Sequence, residues 1–313
     1  MEIKKSDLES VLKKIQPHIH RTPVLSSSLI NEMVSTSLWF KCENFQKMGA
    51  FKMRGATNAI LNLSEEKKAK GVVTHSSGNF AQALSLAAKS LDVPAYIVMP
   101  DSASEVKKSA VRTYEGKITE CPSTLQDREA TANKIQKETG ATFVHPSNDL
   151  DVILGQGTAA IELLQDYPDL DYIICPVGGG GLIAGTALTV KHFGNNCKCI
   201  GAEPIEVDDA WRSLQSGKIE TNETANTIAD GLKTQLGDKN FPIILENVDE
   251  IIRVSEEEIK AALKLIWERM KIVVEPSSAV PLAAIIKEKH RFQNKRIGII
   301  ISGGNVDLSK LPF

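Results

Sequence analysis

The chain has 313 residues, with 37 Lys and Arg against 39 Asp and Glu, which gives a formal net charge of −2. At about 150 residues per domain, this length excludes a small lone module and predicts two structural units or one large α/β unit. The near-neutral charge argues against a nucleic-acid-binding or membrane-binding surface. A hydrophobic fraction of 42% and a charged fraction of 24% are typical of a folded protein with a sizeable core.

Three features bear on the compartment of the protein. Residues 1–10 contain no apolar segment, so the sequence predicts neither a signal peptide nor a lipid anchor and favours a cytoplasmic location. Residues 173–190 carry no charge, but Pro176 and the glycines after it indicate a strand, a turn and a helix rather than a membrane span. The five cysteines lack a CxxC spacing and are predicted to be reduced core residues: Cys42, Cys121, Cys175, Cys197 and Cys199.

Taken in chain order, apolar segments of strand length alternate with helical patterns. The predicted strands are 71–75, 95–99, 117–120, 172–176, 198–203, 251–254 and 296–301. The helices predicted after the first three strands are 82–91, 104–114 and 127–139. This alternation predicts parallel sheets covered by helices on both faces, with a ligand site beyond the carboxyl ends of the strands.

A run of four glycines, 178–181, follows the predicted strand 172–176 and precedes a helix that should begin at about Leu182. Glycines let backbone N–H groups crowd around an anion at a helix N-terminus, which predicts a phosphate site. The spacing is neither GxGxxG nor GxxxxGK[ST], so dinucleotide and ATP cradles are disfavoured. The alternative is that the glycines only permit a tight turn.

The loop HSSGNFAQ, residues 75–82, follows another predicted strand and opens a helix. Its backbone and side-chain donors, at Ser76, Gly78 and Asn79, suit a carboxylate. The alternative is a simple helix cap in which Ser76 or Ser77 is the N-cap residue.

Two further segments complete the candidate site. SGGNVD, residues 302–307, places a hydroxyl and two glycines at the end of the last predicted strand, and Lys52 lies in FKMRG just before an amphipathic stretch with Ala56 and Ile60. A lysine alone there would be expected in solvent. Together, however, the segments fit a cofactor that has one phosphate, a ring nitrogen needing a neutral partner, and an aldehyde needing an amine. That cofactor is pyridoxal 5′-phosphate.

The segments FKMRGA, SSGNFAQ, VGGGGLIAG and SGGNVD, in this order, resemble the fold-type II (tryptophan synthase β-like) pyridoxal-phosphate enzymes, and within them the serine racemase and serine/threonine dehydratase group. The resemblance runs from about His20 to Asp307. It implies an α/β fold of two lobes, each with a mainly parallel sheet flanked by helices. The large, cofactor-binding lobe would be 1–67 with 148–313, and the small lobe inserted in it would be 68–147. Homodimers are usual in the group.

The resemblance also assigns the cofactor residues. Lys52 would bond to the cofactor aldehyde and later act as the base on one face, Asn79 would meet the ring hydroxyl, and Ser302 the pyridine nitrogen. A hydroxyl cannot stabilise a pyridinium as a carboxylate does, which disfavours long-lived carbanions and transamination. The full implied set is Phe51, Lys52, Asn79, Gly178, Gly179, Gly180, Gly181, Leu182, Glu275, Ser302 and Gly303.

Ser77 carries the sharpest implication for the reaction. In the racemases of this group, the second serine of SSGN faces the lysine across the cofactor and exchanges a proton on the opposite face. Two acid/base groups on opposite faces are what inversion at Cα requires, whereas Lys52 alone would give β-elimination of water. The implied substrate contacts are Ser76, Ser77, Gly78, Asn79, Gln82 and Arg128.

A divalent-cation site and nucleotide activation are further implications. Glu203 and Asp209, with the Val207 carbonyl, resemble the group's oxygen-rich Mg²⁺ or Ca²⁺ site, and the alternative is a solvated acidic loop. Met48 stands where eukaryotic racemases contact ATP, and Ser28, Lys271 and Asn305 are compatible with that activation. Phe80, in place of the usual histidine, and Ala50 depart from the group's pattern.

The leading hypothesis is a serine racemase that also dehydrates L-serine, and with it L-threonine, to a 2-oxo acid and ammonia. A second is a 3-hydroxyaspartate dehydratase or aspartate racemase, in which Arg128 would contact the β-carboxylate. A β-replacement synthase of the cysteine synthase kind is disfavoured by the cation loop and by SSGN. A non-enzymatic cofactor carrier is disfavoured by the set Lys52, Ser77, Asn79 and Ser302. The expected partner is a small amino-acid substrate.

Overall fold

Two mainly parallel β-sheets form the framework of the protein. The computed structural model describes residues 3–308 and 311. The six-stranded sheet has the order β1-β2-β10-β7-β8-β9 and the four-stranded sheet the order β5-β4-β3-β6, with only the β1–β2 pair antiparallel. The strands are β1 Val24–Leu25, β2 Ser37–Cys42, β3 Val72–His75, β4 Ala95–Pro100, β5 Lys117–Cys121, β6 Thr142–Phe143, β7 Tyr172–Pro176, β8 Lys198–Pro204, β9 Glu250–Val254 and β10 Arg296–Ile301.

Helices cover both faces of the sheets, as the alternating pattern predicts. They are α1 Lys5–Ile15, α2 Ser28–Val34, α3 Lys52–Leu61, α4 Glu65–Lys70, α5 Asn79–Ser90, α6 Glu105–Thr113, α7 Leu125–Thr139, α8 Leu150–Asp166, α9 Gly181–Phe193, α10 Asp209–Ser216, α11 Phe241–Asn247, α12 Glu256–Met270 and α13 Pro276–Lys287. All seven predicted strands and the three predicted helices are present, with ends shifted by up to three residues. The α/β fold class is therefore confirmed.

The central strands are buried on both faces because they are continuous apolar runs. In β7 all residues after Tyr172 are buried, as are all residues of β10 after Arg296. Such runs, rather than alternating ones, are typical of parallel strands between two helix layers. Helices α8 and α9 cross so closely that a Cβ on Gly157 would lie 2.5 Å from the carbonyl oxygen of Gly185. Glycine at this crossing fixes where the N-terminus of α9 lies.

A fully buried ion network joins β2, α3 and α8. The Arg54 guanidinium donates to both carboxylate oxygens of Glu43 and of Glu162, and Lys41 pairs with Glu162 at 2.7 Å. Thr22 donates to Glu43. Charges so deeply buried are tolerated only when each is paired and hydrogen-bonded. The network therefore fixes the position of α3, the helix that begins at Lys52, relative to β2 and α8.

The uncharged stretch 173–190 forms β7, a turn and most of α9, as predicted. Within the described ranges, no helix combines the length and the apolarity needed to cross a bilayer. The five cysteines are free thiols; all are buried except the half-buried Cys197.

Candidate active site

Three of the predicted loops meet at the carboxyl ends of neighbouring strands. The N–H of Phe51 donates to the carbonyl of Ser302 at 3.0 Å, and Ala50 forms an antiparallel bridge with Gly303. The glycine run follows β7, which pairs directly with β10. The edge of the large sheet thus brings the lysine, glycine and SGGN segments together, as expected for a parallel α/β fold.

Lys52 is the first residue of α3, and its amine points toward the chain segment that links β6 to α8. Its Nζ donates to the Pro146 carbonyl at 2.7 Å and lies 4.9 Å and 5.8 Å from the ring centroids of Phe51 and Phe80. Burial lowers the pKa of Lys52 to about 8, against an opposing effect of the Glu275 carboxylate. Lys52 therefore differs from a lone surface lysine: its amine is hydrogen-bonded inside the protein, and its pKa is lower than that of an ordinary amine.

Asn79, Glu275 and Asn305 form a chain of hydrogen bonds beside this amine. The Asn79 Nδ2 donates to both Glu275 carboxylate oxygens, at 3.1 and 3.0 Å, and its Oδ1 accepts from the Asn305 Nδ2 at 2.9 Å. Burial raises the pKa of Glu275 to about 7. The chain joins the predicted residues of the SSGN, EPS and SGGN segments and fixes the amide of Asn79.

The hydroxyl of Ser302 lies at the end of β10, buried, and 3.0 Å from the hydroxyl of Ser278. The Ser278 Oγ also accepts from the Gly303 N–H at 2.8 Å. Ser278 was not singled out in the sequence, because its role depends on α13 packing against β10. The hydroxyl pair is a neutral hydrogen-bonding group, which suits an unprotonated ring nitrogen.

The glycine run forms a tight turn between β7 and α9, packed against neighbouring loops and α8. Gly180 has a left-handed φ of +79°, and α9 begins at Gly181, one residue before the predicted start, while Leu182 is buried. A Cβ at each of the four positions would clash, the closest atoms being Leu232 Cα for Gly178, Ser147 Oγ for Gly179, Leu236 Cδ2 for Gly180 and Gln156 Oε1 for Gly181. Tight packing thus demands glycine here as well, and this is compatible with backbone N–H groups directed at an anion.

The SSGN loop does not cap its helix in the way that the capping alternative requires. The N-cap residue of α5 is Gly78, and no side chain caps the helix, so the assignment of Ser76 or Ser77 as the cap is wrong. The Ser76 Oγ accepts only the Gly78 N–H, at 3.4 Å. A Cβ on Gly78 would meet no atom within 4 Å, and Ser77 is partly exposed. The first N–H groups of α5 therefore have no side-chain cap, and the space beside Gly78 is open, which suits a bound carboxylate.

Gln82 and Arg128 are the remaining predicted substrate contacts. Gln82 is buried one turn into α5, and the Arg128 Nε donates to the Thr124 carbonyl at 3.3 Å. Arg128 lies close enough to His75 for its charge to add to burial in lowering the pKa of that imidazole. The described contacts do not join Arg128 to the SSGN loop itself.

His145 is a site residue that sequence reasoning missed. Its Nδ1 accepts the N–H groups of Ser147 and Asn148, at 3.2 and 2.8 Å, which shapes the turn that carries the Pro146 carbonyl. Burial lowers its pKa to about 4, with the charge of the nearby His75 adding to the effect, so the imidazole is neutral. The sequence does not reveal that His145 shapes this turn, because the atom that accepts from the Lys52 amine is the backbone carbonyl of Pro146.

Glu203 and Asp209 are both fully buried, so the alternative of a solvated acidic loop is wrong for these two side chains. Glu203 accepts from the N–H groups of Ala210 and Trp211, and Asp209 from the N–H of Leu236 and the Asn222 amide. Burial and the neighbouring Asp209 raise the pKa of Glu203 well above its usual range, and burial raises that of Asp209 to about 6. Two buried carboxylates with no cationic side chain bonded to them are suited to an oxygen-binding cation.

The remaining predicted ligands are those of the cation and of the nucleotide. In the part of the chain that the structure describes, no cluster of three or more His, Cys, Asp or Glu side chains could bind a metal, so a cation here would need carbonyl oxygens as well. Of the four nucleotide candidates, the Asn305 Nδ2 donates to the Met48 carbonyl at 2.9 Å. Ser28 begins α2, and Lys271 follows α12.

A half-buried lysine with a lowered pKa, a neutral hydroxyl pair and a glycine turn at the start of a helix define a phosphate-bearing aldehyde cofactor site. The chain belongs to the family described as "Pyridoxal-phosphate dependent enzyme", whose sequence model matches residues 15–303. It is therefore a fold-type II pyridoxal-phosphate enzyme, as its segments predict.

Among individual proteins, the chain is 52% identical to the serine racemase of Dictyostelium discoideum, over 97% of this chain and 95% of the relative. The crystal structure of that racemase matches with a TM-score of 0.94, covering 98% of this chain and 99% of the other. The chain is also 49% identical to a beta-hydroxyaspartate dehydratase of Paracoccus denitrificans, over 98% of each chain. A pyridoxal 5′-phosphate-dependent aspartate racemase of known structure matches at 38% identity, with a TM-score of 0.93 over 100% of this chain and 98% of the other.

Proposed function

We propose that the protein is a pyridoxal-phosphate-dependent serine racemase that also dehydrates L-serine, and secondarily L-threonine, to the 2-oxo acid and ammonia. The observation that carries this proposal is the position of the Lys52 amine, which donates to the Pro146 carbonyl at 2.7 Å and lies 5.8 Å from the Phe80 ring at the start of α5, with its pKa lowered to about 8. An amine with this pKa is half neutral at about pH 8, so near neutrality it can both accept and return a proton. Racemases of the family from several organisms support the same assignment.

The residues present fit the cofactor. Lys52 would bond to its aldehyde, Asn79 would meet the ring hydroxyl, and Ser302 the ring nitrogen. Phe51, Glu275 and Gly303 would flank the ring, and the phosphate would lie on the turn formed by Gly178, Gly179, Gly180, Gly181 and Leu182. When bound, the cofactor acts as an electron sink that acidifies the Cα–H of an amino acid. With Ser278 behind it, Ser302 would leave the ring nitrogen unprotonated and keep that sink weak.

Lys52 and Ser77 would divide the proton transfers between them. The freed Lys52 amine would take the Cα proton on one face, with the Pro146 carbonyl stabilising the ammonium that forms. Ser77 would return a proton on the opposite face, which inverts Cα. When Lys52 alone acts, loss of the β-hydroxyl is the competing outcome, so one site supports both reactions.

The open N-terminus of α5 would bind the substrate carboxylate. Ser76, Ser77, Gly78 and Asn79 contribute backbone and side-chain donors there, and the dipole of a twelve-residue helix favours the negative charge. Gln82 is one turn further along the same helix and would also contact the substrate. Because no side chain caps α5, these donors are available to a ligand.

A divalent cation would occupy the pocket of Glu203 and Asp209. The two carboxylates are fully buried, and the Val207 carbonyl with water would complete an oxygen shell for Mg²⁺ or Ca²⁺. The cation would neutralise the repulsion between the two carboxylates and so stabilise the loop between β8 and α10. This role is structural and does not touch the reacting atoms.

We also propose the larger organisation that the family resemblance implies. Strands β3 to β6 and the helices between them form the small lobe, 68–147, inserted in a large lobe of 1–67 and 148–313; residues 1, 2, 309, 310, 312 and 313 are outside the described residues. A cytoplasmic homodimer is the expected assembly. Nucleotide activation through Met48 and Asn305, with Ser28 and Lys271, belongs to the same proposal.

A second candidate function is 3-hydroxyaspartate dehydration, with aspartate racemisation as its relative. Arg128, whose charge acts on His75 at the end of β3, would supply the cation that binds the β-carboxylate. The 49% identity to the beta-hydroxyaspartate dehydratase favours testing it. Serine and 3-hydroxyaspartate differ only by that carboxylate, so Arg128 is the residue that distinguishes the two functions.

The experiment is a substrate panel on the cofactor-loaded enzyme. L-Serine, D-serine, L-threonine, L-aspartate and 3-hydroxyaspartate are each supplied, and chiral amino-acid analysis is combined with 2-oxo acid detection. The proposal expects D-serine and pyruvate from L-serine. A kcat/KM for 3-hydroxyaspartate far above that for serine, lost in Arg128→Ala, would establish the second candidate instead.

A further inference from the structure

Asn240 is a fully buried residue in no predicted site, at the N-cap position of α11. Its Nδ2 donates to two carbonyls, those of Gly179 at 2.8 Å and Ser147 at 3.1 Å. Its Oδ1 accepts the Gly237 N–H at 3.0 Å. One side chain therefore joins the glycine turn, the segment between β6 and α8, and the turn before α11.

The first of these bonds determines how the glycine turn is oriented. In a trans peptide unit the C=O and N–H groups point in opposite directions. Because the Gly179 carbonyl points at Asn240, the Gly180 N–H of the same peptide unit points away from α11. A Cβ on Gly180 would lie 2.8 Å from the Asn240 Oδ1, so the amide packs directly against the turn. The bond thus selects one of the two orientations available to this peptide.

The second bond reaches toward the catalytic lysine. Ser147 immediately follows Pro146, whose carbonyl accepts the Lys52 amine. The same segment is fixed from its other end by Asn148, whose Oδ1 accepts the N–H groups of Lys239 and Asn240. The position of the amine's acceptor and that of the glycine turn therefore depend on the same short stretch, residues 237–240.

We propose that Asn240 is a positioning residue that orients the glycine turn for the cofactor phosphate and aligns it with the acceptor of the Lys52 amine. The inference rests on the proposed role of the glycine turn as the phosphate site. A buried amide that uses both its donor and its acceptor groups has one stable orientation, because any rotation would leave two carbonyls without donors. The turn is then formed before the cofactor arrives, so cofactor binding loses less conformational entropy.

Asn240→Leu tests the proposal, since leucine has a similar size and no hydrogen-bonding group. Asn247→Leu is the matched control: Asn247 ends the same helix, and its amide donates only to the Ile243 carbonyl of its own helix. The apoproteins are titrated with pyridoxal 5′-phosphate, the ³¹P resonance of the bound phosphate is recorded, and urea unfolding of each apoprotein is measured. No amino-acid substrate is needed, so failure of the racemase assignment would leave this test intact.

The expected result is a Kd for pyridoxal phosphate that rises about 10- to 100-fold in Asn240→Leu, in line with loss of the two hydrogen bonds to the Gly179 and Ser147 carbonyls, and less than twofold in Asn247→Leu. The ³¹P resonance should shift or broaden only in the first variant. Asn240→Ser, which retains one hydroxyl donor, should give an intermediate Kd and serves if the leucine variant does not fold. An unchanged Kd and ³¹P resonance, with only a lower urea midpoint, would overturn the proposal and reduce Asn240 to a packing residue.

Discussion

The N–H of Phe51 donates to the carbonyl of Ser302 at 3.0 Å, although the two residues lie near opposite ends of the chain. This bond joins the end of β10 to the segment that leads into α3. Lys52, the first residue of α3, directly follows Phe51. The hydroxyl proposed for the ring nitrogen and the amine proposed for the aldehyde are thus held by adjacent backbone. Their relative position is set by the large sheet, which makes the lysine side of the site rigid.

Replacing Lys52 by Ala should remove the visible absorbance of the lysine-bound cofactor and lower the rate of both reactions. Loss of a general base alone reduces kcat by about 10²- to 10⁴-fold. Lys47→Ala, on the short helical turn before α3, serves as the control and should retain absorbance and rate. Persistence of the absorbance in Lys52→Ala would show that the cofactor is bound to another amine.

Ser77→Ala should separate the two reactions. D-Serine formation should fall by about 10²-fold or more, since the proton donor of the second face is lost, while dehydration of L-serine continues with Lys52. Ser76→Ala should instead raise KM in both reactions, because it weakens carboxylate binding without removing a proton-transfer group. Chiral chromatography and pyruvate detection on the same samples give the ratio. An equal loss of both products in Ser77→Ala would refute the two-face mechanism.

Local sequence patterns were sufficient for the strands and for the loops that follow them. The runs at β7 and β10 are apolar because parallel strands are buried on both faces. Each strand can therefore be predicted from its own segment of sequence. Features that depend on distant packing were not visible. The absence of a side-chain cap on α5 and the two hydroxyls of Ser278 and Ser302 could only be seen in three dimensions.

The same reasoning applies to Glu203 and Asp209, for which the sequence left a cation site and a solvated loop as alternatives. The polarity of Glu203 and Asp209 also suits a solvated loop, but β8 and α10 place both carboxylates in the interior, where they accept hydrogen bonds from the backbone N–H groups of Trp211 and Leu236. The role of Pro146 is invisible for a different reason. It acts through its carbonyl, which every residue possesses.

The rate of racemisation should depend on pH through Lys52. Its pKa is lowered to about 8 by burial, so the fraction of neutral amine, the form that accepts a proton, rises through a midpoint near pH 8 and levels off above it. The Glu275 carboxylate favours the ammonium form, so Glu275→Gln should lower the pKa of Lys52 and move the midpoint of the kcat profile to lower pH. Glu275→Asp retains the charge and is the control. A midpoint that moves upward in Glu275→Gln would contradict this electrostatic coupling.

Mg²⁺ or Ca²⁺ should raise the melting temperature of the protein, and EDTA should reverse the effect. An ion present at 100 times its Kd stabilises the folded state by about 2.7 kcal/mol. Glu203→Gln and Asp209→Asn should abolish the rise. Asp208→Asn is the control, because Asp208 pairs with Arg212 and Arg253 at 2.7 and 2.8 Å. If Asp208→Asn alone loses the response, the cation is bound elsewhere in this loop.

Arg54→Met should cost far more stability than the loss of an exposed arginine. Arg54 is fully buried between Glu43 and Glu162, so its removal leaves buried carboxylates without their partner, which costs about 3–5 kcal/mol. Arg21→Ala is the control: its pair with Asp166 is about 40% exposed, and such pairs contribute about 0.2–1 kcal/mol. Urea denaturation at pH 7 measures both. Because α3 begins at Lys52, Arg54→Met should also weaken cofactor binding, and a variant as stable as Arg21→Ala would show that the network does not hold this helix.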